Sequence, residues 1–128
     1  MAGKPRPARR FVASEHDEQA AFVAWYRLQF PKILIFAIPN GAYLSGTPGQ
    51  RAAQMARLKA EGLMPGVPDL HVPEWNLWIE FKRQSGGRVS PVQSDIIATL
   101  RDMGRRVIIA RGYDDAVAQV KALAEVVR

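Results

Sequence analysis

Residues 77–82, Leu77-Trp78-Ile79-Glu80-Phe81-Lys82, alternate in a way that suits one regular structure, a strand. Side chains on a strand point to opposite faces in turn, so Leu77, Ile79 and Phe81 form an apolar face and Trp78, Glu80 and Lys82 share the other. Glu74-Trp75-Asn76 reads as a turn, and before it Leu70 and Val72 alternate with polar positions in a short strand that Pro68 helps to open. The segment is therefore the second arm of a hairpin. It commits the chain to a sheet with an acid and a base side by side on one face.

The other elements follow from caps and breakers. Ser14 caps a helix running to about residue 28, before Pro31 forbids continuation, and Phe22, Val23, Tyr26 and Phe30 form its inward stripe. Glu15 and Gln19 fall on that stripe; Glu18 lies roughly a right angle away and is expected in solvent. Residues 33–38, apolar and rich in branched side chains, suit a largely buried first strand. Pro39-Asn40-Gly41 ends it, and a Gly- and Pro-bearing loop leads to Thr47-Pro48, which opens a helix over 50–61 carrying Arg51, Arg57 and Lys59; Gly62 closes it. Ser90-Pro91-Val92-Gln93 has the form of a capping box on a helix reaching about residue 103. Residues 106–110 make a buried strand, and Asp114 or Asp115 opens a last helix to about residue 127. The expected architecture is an α/β (α+β) domain on a mixed sheet, in the order α-β-α-β-β-α-β-α. It is a single domain over residues 14–128, preceded by a tail over residues 1–13.

The tail carries four of the eighteen basic residues, Lys4, Arg6, Arg9 and Arg10, in its first ten positions and no acid there. It is expected to be disordered and either to meet a polyanion or merely to solubilise the chain. There is no Cys and there are two His, so thiolate zinc sites, iron–sulfur clusters, cysteine nucleophiles and all-imidazole metal sites are excluded. Any metal is held mainly by oxygen. The longest mainly apolar run, residues 33–39, falls far short of the ~20 residues of a membrane span, and no apolar segment follows the basic N-terminus as in a signal peptide. A cytoplasmic protein without membrane contact is expected.

The chemistry centres on Pro68-Asp69, ten residues, and then Glu80-Phe81-Lys82. Two carboxylates on adjacent antiparallel strands can converge on one divalent cation, and a lysine one pleat beyond the second reaches the same place. Mg²⁺ favours oxygen ligands and bridges to phosphates. It would supply a Lewis acid for a phosphodiester, with Lys82 orienting water or steadying developing negative charge. On spacing alone, a surface acid beside an ordinary salt-bridged strand pair is the commoner origin of such a pattern.

A series of motifs in order narrows this. Ser14-Glu15 with Gln19, Ile38-Pro39-Asn40-Gly41, Lys59-x-x-Gly62, Gly66-Val67-Pro68-Asp69-Leu70, Ile79-Glu80-Phe81-Lys82, Gly87-Arg88-Val89-Ser90-Pro91-x-Gln93 and Leu100-x-x-x-Gly104 resemble the virus-type replication-repair (VRR-NUC) nucleases, a branch of the PD-(D/E)xK superfamily. The resemblance spans about residues 14 to 113. It implies a restriction-endonuclease-like core and a deoxyribonuclease dependent on Mg²⁺ or Mn²⁺, acting as a homodimer on branched DNA such as four-way junctions. Stand-alone phage and bacterial members are of similar length, which implies a phage-encoded or bacterial host setting. The resemblance makes Asp69, Glu80 and Glu15 metal ligands, Lys82 the catalytic lysine and Gln93 an active-site glutamine, with Glu18 the alternative first-helix acid. Gln93 completes a capping box in either case.

Lys82, Arg83 and Arg88 around a Gly-Gly turn suit phosphate contacts, and Asn40 and Arg51, in and after the 40–49 loop, are further candidates for DNA. A solvated turn and a plain connection are the competing readings. His71 is read first as a hydrogen-bonded structural residue and His16 as a solvent residue. Trp25, Trp75 and Trp78 are packing residues that could also stack on bases, Trp78 flooring the cleft beside Glu80. The alternative to an endonuclease is a non-cleaving DNA-binding accessory module of the same fold, against which the intact Asp69, Glu80 and Lys82 speak. A restriction enzyme would require base-reading elements for which the 128 residues leave little room.

Overall fold

A computed structural model describes residues 14–39 and 44–127. The tail expected over residues 1–13, and Asn40, lie outside the described residues. The elements are α1 (Glu15–Gln29), β1 (Phe36–Ala37), α2 (Pro48–Ala60), β2 (Leu70–Val72), a 3-10 turn (Pro73–Trp75), β3 (Leu77–Lys82), α3 (Pro91–Asp102), β4 (Arg106–Arg111) and α4 (Tyr113–Val127). The order expected from caps and periodicity is the order found, with bounds shifted by a residue or two for most elements. The sheet runs β1-β2-β3-β4, antiparallel from β1 to β3 and parallel between β3 and β4.

Three of the four helix starts have a side-chain cap, whereas α4 begins at Tyr113, ahead of the Asp114 or Asp115 expected to open it, and Asp115 accepts the Arg111 N–H. Ser14 Oγ accepts the Asp17 N–H, and both Thr47 with Gln50 and Ser90 with Gln93 close complete capping boxes. Asn76 turns the hairpin in the left-handed region at φ 51, and its carbonyl takes the Arg106 N–H that starts the β3–β4 ladder.

The apolar face of β3 builds the core. Leu77, Ile79 and Phe81 are fully buried beneath α1 and α4, against Phe22, Tyr26, Val120 and Ala116. The Phe22 ring lies 5.7 Å from Phe81 and 5.9 Å from Trp25, which is half-buried, while Tyr26 and Phe30 close on Trp75. These rings supply much of the apolar area removed from water, roughly 1.5–3 kcal/mol for each large side chain. The opposite face is covered by α3 on the β4 side, through Ile97 and Val107.

The 33–38 run departs from expectation. Only Phe36 and Ala37 pair as strand; Ile35 is buried, but Leu34 is 62% and Phe36 39% exposed. The run lies at the sheet margin, where its one neighbour is the three-residue β2, so there is no second strand to bury it. α2 has no buried residue, with Met55 and Leu58 half-buried and Ala52, expected alongside them, exposed.

The other edge is closed by side chains. The outward carbonyls of Val107 and Ile109 accept from Arg101 and Gln119, and the outward N–H of Arg111 donates to Asp115. An edge dressed in this way offers a poor template for a foreign strand. Gln119→Ala is expected to lose about 1–2 kcal/mol in urea denaturation, because Nε2 bonds both the Ile109 carbonyl and Asp115, and to self-associate more at high concentration in sedimentation. A fully monodisperse variant of unchanged stability would contradict this account of the edge.

Candidate active site

The register of β2 against β3, with Leu70 opposite Ile79, sets Asp69 across from Glu80. Asp69 Oδ2 accepts the Phe81 N–H at 2.7 Å, which aims the carboxylate along the strand. Ile38 N–H donates to the Asp69 carbonyl, so β1 steadies the same residue from the other side. Glu80 is 1% exposed and Lys82 7%, the two charged side chains among the buried residues described.

Gln93 ties them together. Its Nε2 donates to Glu80 Oε1 at 3.0 Å, while its Oε1 accepts from Lys82 Nζ at 2.7 Å and from the Ser90 N–H at 3.0 Å. Lys82 Nζ lies 3.5 Å from Glu80 Oε1. The capping function and the site function thus share one amide group. Because the cap fixes the amide relative to the backbone of α3, the helix start positions both charged side chains.

Glu80 Oε2 is buried and has no hydrogen-bond partner. Burial pushes the Glu80 carboxyl up to about 7, the Asp69 charge adding to the rise and Lys82 opposing it. Burial also raises Asp69, against the opposing pull of the Phe81 N–H, Lys82 and the Glu80 carboxyl. Two ionised carboxylates cannot bond each other, so the pair is relieved either by one shared proton or by a cation. The orphaned oxygen and the all-oxygen donor set fit a hard divalent ion.

Glu15 is half-buried, and burial raises its carboxyl above the usual range while Lys82 and Arg83 pull it down and Asp69 pushes it up. It stands close enough for its charge to reach Glu80. It does not close up with Asp69 and Glu80 into a three-ligand group; among the described residues no three His, Cys, Asp or Glu side chains do. Glu18, expected in solvent, is half-buried elsewhere: its carboxylate accepts from the Tyr113 N–H at 3.4 Å and packs on Gly112, so it serves the start of α4. Helical angle sets Glu18 roughly a right angle from the inward stripe, but the β4–α4 corner that receives it lies outside any helical wheel.

Arg83 and Arg88 are exposed on the loop after β3. Two contacts hold that loop. Gly87 returns so tightly that a Cβ there would stand 3.0 Å from the Arg83 nitrogen, and Arg111 donates to the Gly87 carbonyl at 2.6 Å. The Arg111 contact had no local sequence signal, whereas the Gly-Gly pair did mark a tight return. Arg51, also exposed, donates to the Gly46 carbonyl, bracing its own loop. Gly66 was a motif position without an assigned task. At φ 94 it lies against α3, where a Cβ would meet Val92 Cγ1 at 2.8 Å and the Val92 backbone at 3.1 Å, so it seats the Asp69 segment on the same helix start that holds Gln93.

His71 Nδ1–H donates to the Leu77 carbonyl at 2.9 Å, and the ring stacks on Trp78 at 3.9 Å, as a structural histidine does. Trp78 shares the face of Glu80 and Lys82 and is half-buried; Trp75 is core; His16 is exposed.

Glu80 holds its proton more tightly in the folded chain than at its ordinary value of 4.5. Stability from this group is therefore complete below about pH 4.5 and is lost as pH rises through about 7. Glu80→Gln is expected to raise unfolding stability at pH 8 by up to about 3 kcal/mol, with the gain vanishing toward pH 4.5. Urea melts across that range measure it, and a variant less stable than wild type at pH 8 would overturn the assignment of Glu80 as a strained ionised group.

No protein-family model and no curated protein matches the chain. A solved structure described as a VRR_NUC domain protein superposes with a TM-score of 0.63 at 21% sequence identity, covering 88% of this chain and 89% of that one. Four helices around a mixed four-stranded sheet, with Asp69, Glu80 and Lys82 gathered at the ends of β2 and β3, are thus laid out on a PD-(D/E)xK-like fold, the fold of that VRR_NUC domain protein.

Proposed function

We propose that the chain is a VRR-NUC nuclease that hydrolyses DNA phosphodiesters with a divalent cation, Mg²⁺ or Mn²⁺. The observation that carries this reading is the buried, unpartnered Oε2 of Glu80, on the residue across from Asp69 and beside a buried lysine. A shared proton relieves the pair while Glu80 is neutral; once both carboxylates ionise, a structural role alone leaves such an oxygen at a cost of several kcal/mol, which a cation would relieve.

Asp69 and Glu80 would hold the ion, a pair of carboxylates being a common protein share for Mg²⁺ when substrate phosphate and water complete its shell. Bound there, the cation supplies Lewis acidity to the phosphodiester and to the attacking water. Lys82, fixed by Gln93 and Glu80, donates from Nζ to the water or to a phosphate oxygen as charge develops. Glu15 acts from outside the pair, its carboxylate accepting a proton-bearing group such as that water. Arg83 and Arg88, and earlier in the chain Arg51, would contact backbone phosphates, with Asn40 a further candidate by sequence alone, and their contribution is lost as salt rises.

A homodimer would set two sites about a two-fold axis, matching the approximate two-fold symmetry of a four-way junction; selectivity then comes from shape rather than bases. Among the described residues no helix is long and apolar enough to cross a membrane.

Labelled linear, nicked, flapped and four-way DNAs incubated with Mg²⁺ or Mn²⁺ test the reading. Cleavage is expected to favour the branched substrates, and sedimentation to show a dimer. Glu80→Gln and Lys82→Ala are each expected to lose at least about a hundredfold in rate. Because Glu80→Gln is expected to be the more stable protein at pH 8, its inactivity cannot be unfolding. Wild-type cleavage, and the rise in melting temperature on adding Mg²⁺, are both expected to fade as pH drops, because a proton on Glu80 competes with the cation, and higher Mg²⁺ is expected to move the loss to lower pH. Near wild-type cleavage by both variants would refute the assignment. DNA binding without cleavage of any substrate would leave the non-cutting accessory module.

A further inference from the structure

Three rings stand in a row across the sheet on the face that carries Glu80 and Lys82. The register puts Phe36 opposite His71 and His71 opposite Trp78. His71 stacks on Trp78 with centroids 3.9 Å apart and planes 24° apart, and Phe36 meets His71 nearly edge-on at 5.6 Å and 85°. The Leu77 carbonyl fixes the His71 ring by accepting from Nδ1. Trp78 precedes Glu80 by two residues, so the row begins about 7 Å from the carboxylate pair. Among the described residues Phe36 has this one ring neighbour and is 39% exposed.

Cross-strand ring pairs also stabilise sheet margins without any ligand. Two observations favour an occupant. The chemistry of the face is continuous, from exposed Phe36 through His71 and Trp78 to the site. The chain around Phe36 is also wholly basic: residues 19–60 carry Arg27, Lys32, Arg51, Arg57 and Lys59 and no Asp or Glu. An apolar ring rail on a basic, acid-free stretch complements a ligand with flat faces and a phosphate backbone.

We propose that the Phe36–His71–Trp78 row is a stacking rail for the base of an unpaired nucleotide next to the scissile phosphate. The proposal rests on the nuclease reading for the position of that phosphate. It would account for a preference for forks and flaps, which carry unpaired bases, whereas a duplex or the paired arms of a four-way junction keep their bases stacked on each other and offer none to Phe36.

The test is read in binding without metal, so it does not depend on cleavage. Fluorescence anisotropy in EDTA compares wild type, Phe36→Ala and Phe36→Trp on three labelled DNAs: a single strand, a fork with unpaired arms and a blunt duplex. Phe36 is exposed, and thermal melts are expected to show all three proteins folded alike. Phe36→Ala is expected to bind single strand and fork about tenfold more weakly and duplex within about twofold of wild type, with Phe36→Trp restoring the loss. Quenching of a 2-aminopurine placed at the branch is expected to fall in Phe36→Ala alone. An equal loss on all three DNAs, no loss on any, or no binding by wild type would overturn the proposal. So would a change of sedimenting mass in Phe36→Ala, which would give the rail to a second copy of the chain. Cleavage intact with binding indifferent to Phe36 sinks the rail alone; Phe36-dependent binding by a protein that never cuts sinks the nuclease reading alone.

Discussion

Glu80 is buried with one carboxylate oxygen bonded to the Gln93 amide and approached by Lys82, and the other without a hydrogen-bond donor. A group in that state is unstable to ionisation, as its rise to about 7 records, and a chain under no functional constraint relieves it by the smallest of changes, a glutamine or a leucine. The surroundings do not relieve it; they hold it in place. Asp69 is aimed toward it by the Phe81 N–H, and Gln93 reaches it from a capped helix start. The carboxylate pair is thus held close at the expense of stability once both groups ionise, and on the proposed reading that is the form a cation would take.

The supports of the site do not belong to it chemically. Gly66 exists where it does because Val92 leaves no room for a Cβ, and that contact locks the strand bearing Asp69 to the helix bearing Gln93. Glu18 caps the approach to α4 beside Gly112, whose N–H in turn binds the Lys82 carbonyl. Arg111 holds the basic loop by the Gly87 carbonyl. Each contact is long in sequence and short in space, and together they place α1, α3 and β4 around two residues of β3.

What could be read in the chain before folding follows the same division. Caps and alternation act locally, and they mark the starts of α1, α2 and α3 and the full extent of β3, because Ser14, Thr47 and Ser90 bond within three residues of themselves. The proximity of Asp69, Glu80 and Lys82 was legible because a hairpin has one register that buries Leu77, Ile79 and Phe81. The 33–38 run misled because apolar composition reports burial potential, while burial itself depends on neighbours that a margin strand lacks. The fate of Glu18, the seat of Gly66 and the ring contact of Phe36 depend on partners 26 to 95 residues away, and no periodicity carries such information.

The two faces of β3 divide stability from chemistry with a period of two. Odd positions Leu77, Ile79 and Phe81 bury the core, and even positions Trp78, Glu80 and Lys82 line the site. A slip of one residue would exchange the sets, thrusting a carboxylate and an ammonium into the ring cluster of Phe22 and Tyr26. The register is pinned at both ends from the β4 side, by the Arg106 N–H on the Asn76 carbonyl and the Gly112 N–H on that of Lys82. Closing the outer edge of β4 with Arg101, Gln119 and Asp115 therefore does more than discourage aggregation: it keeps that strand bound to β3, and so keeps Glu80 on the face it shares with Asp69, Lys82 and Gln93.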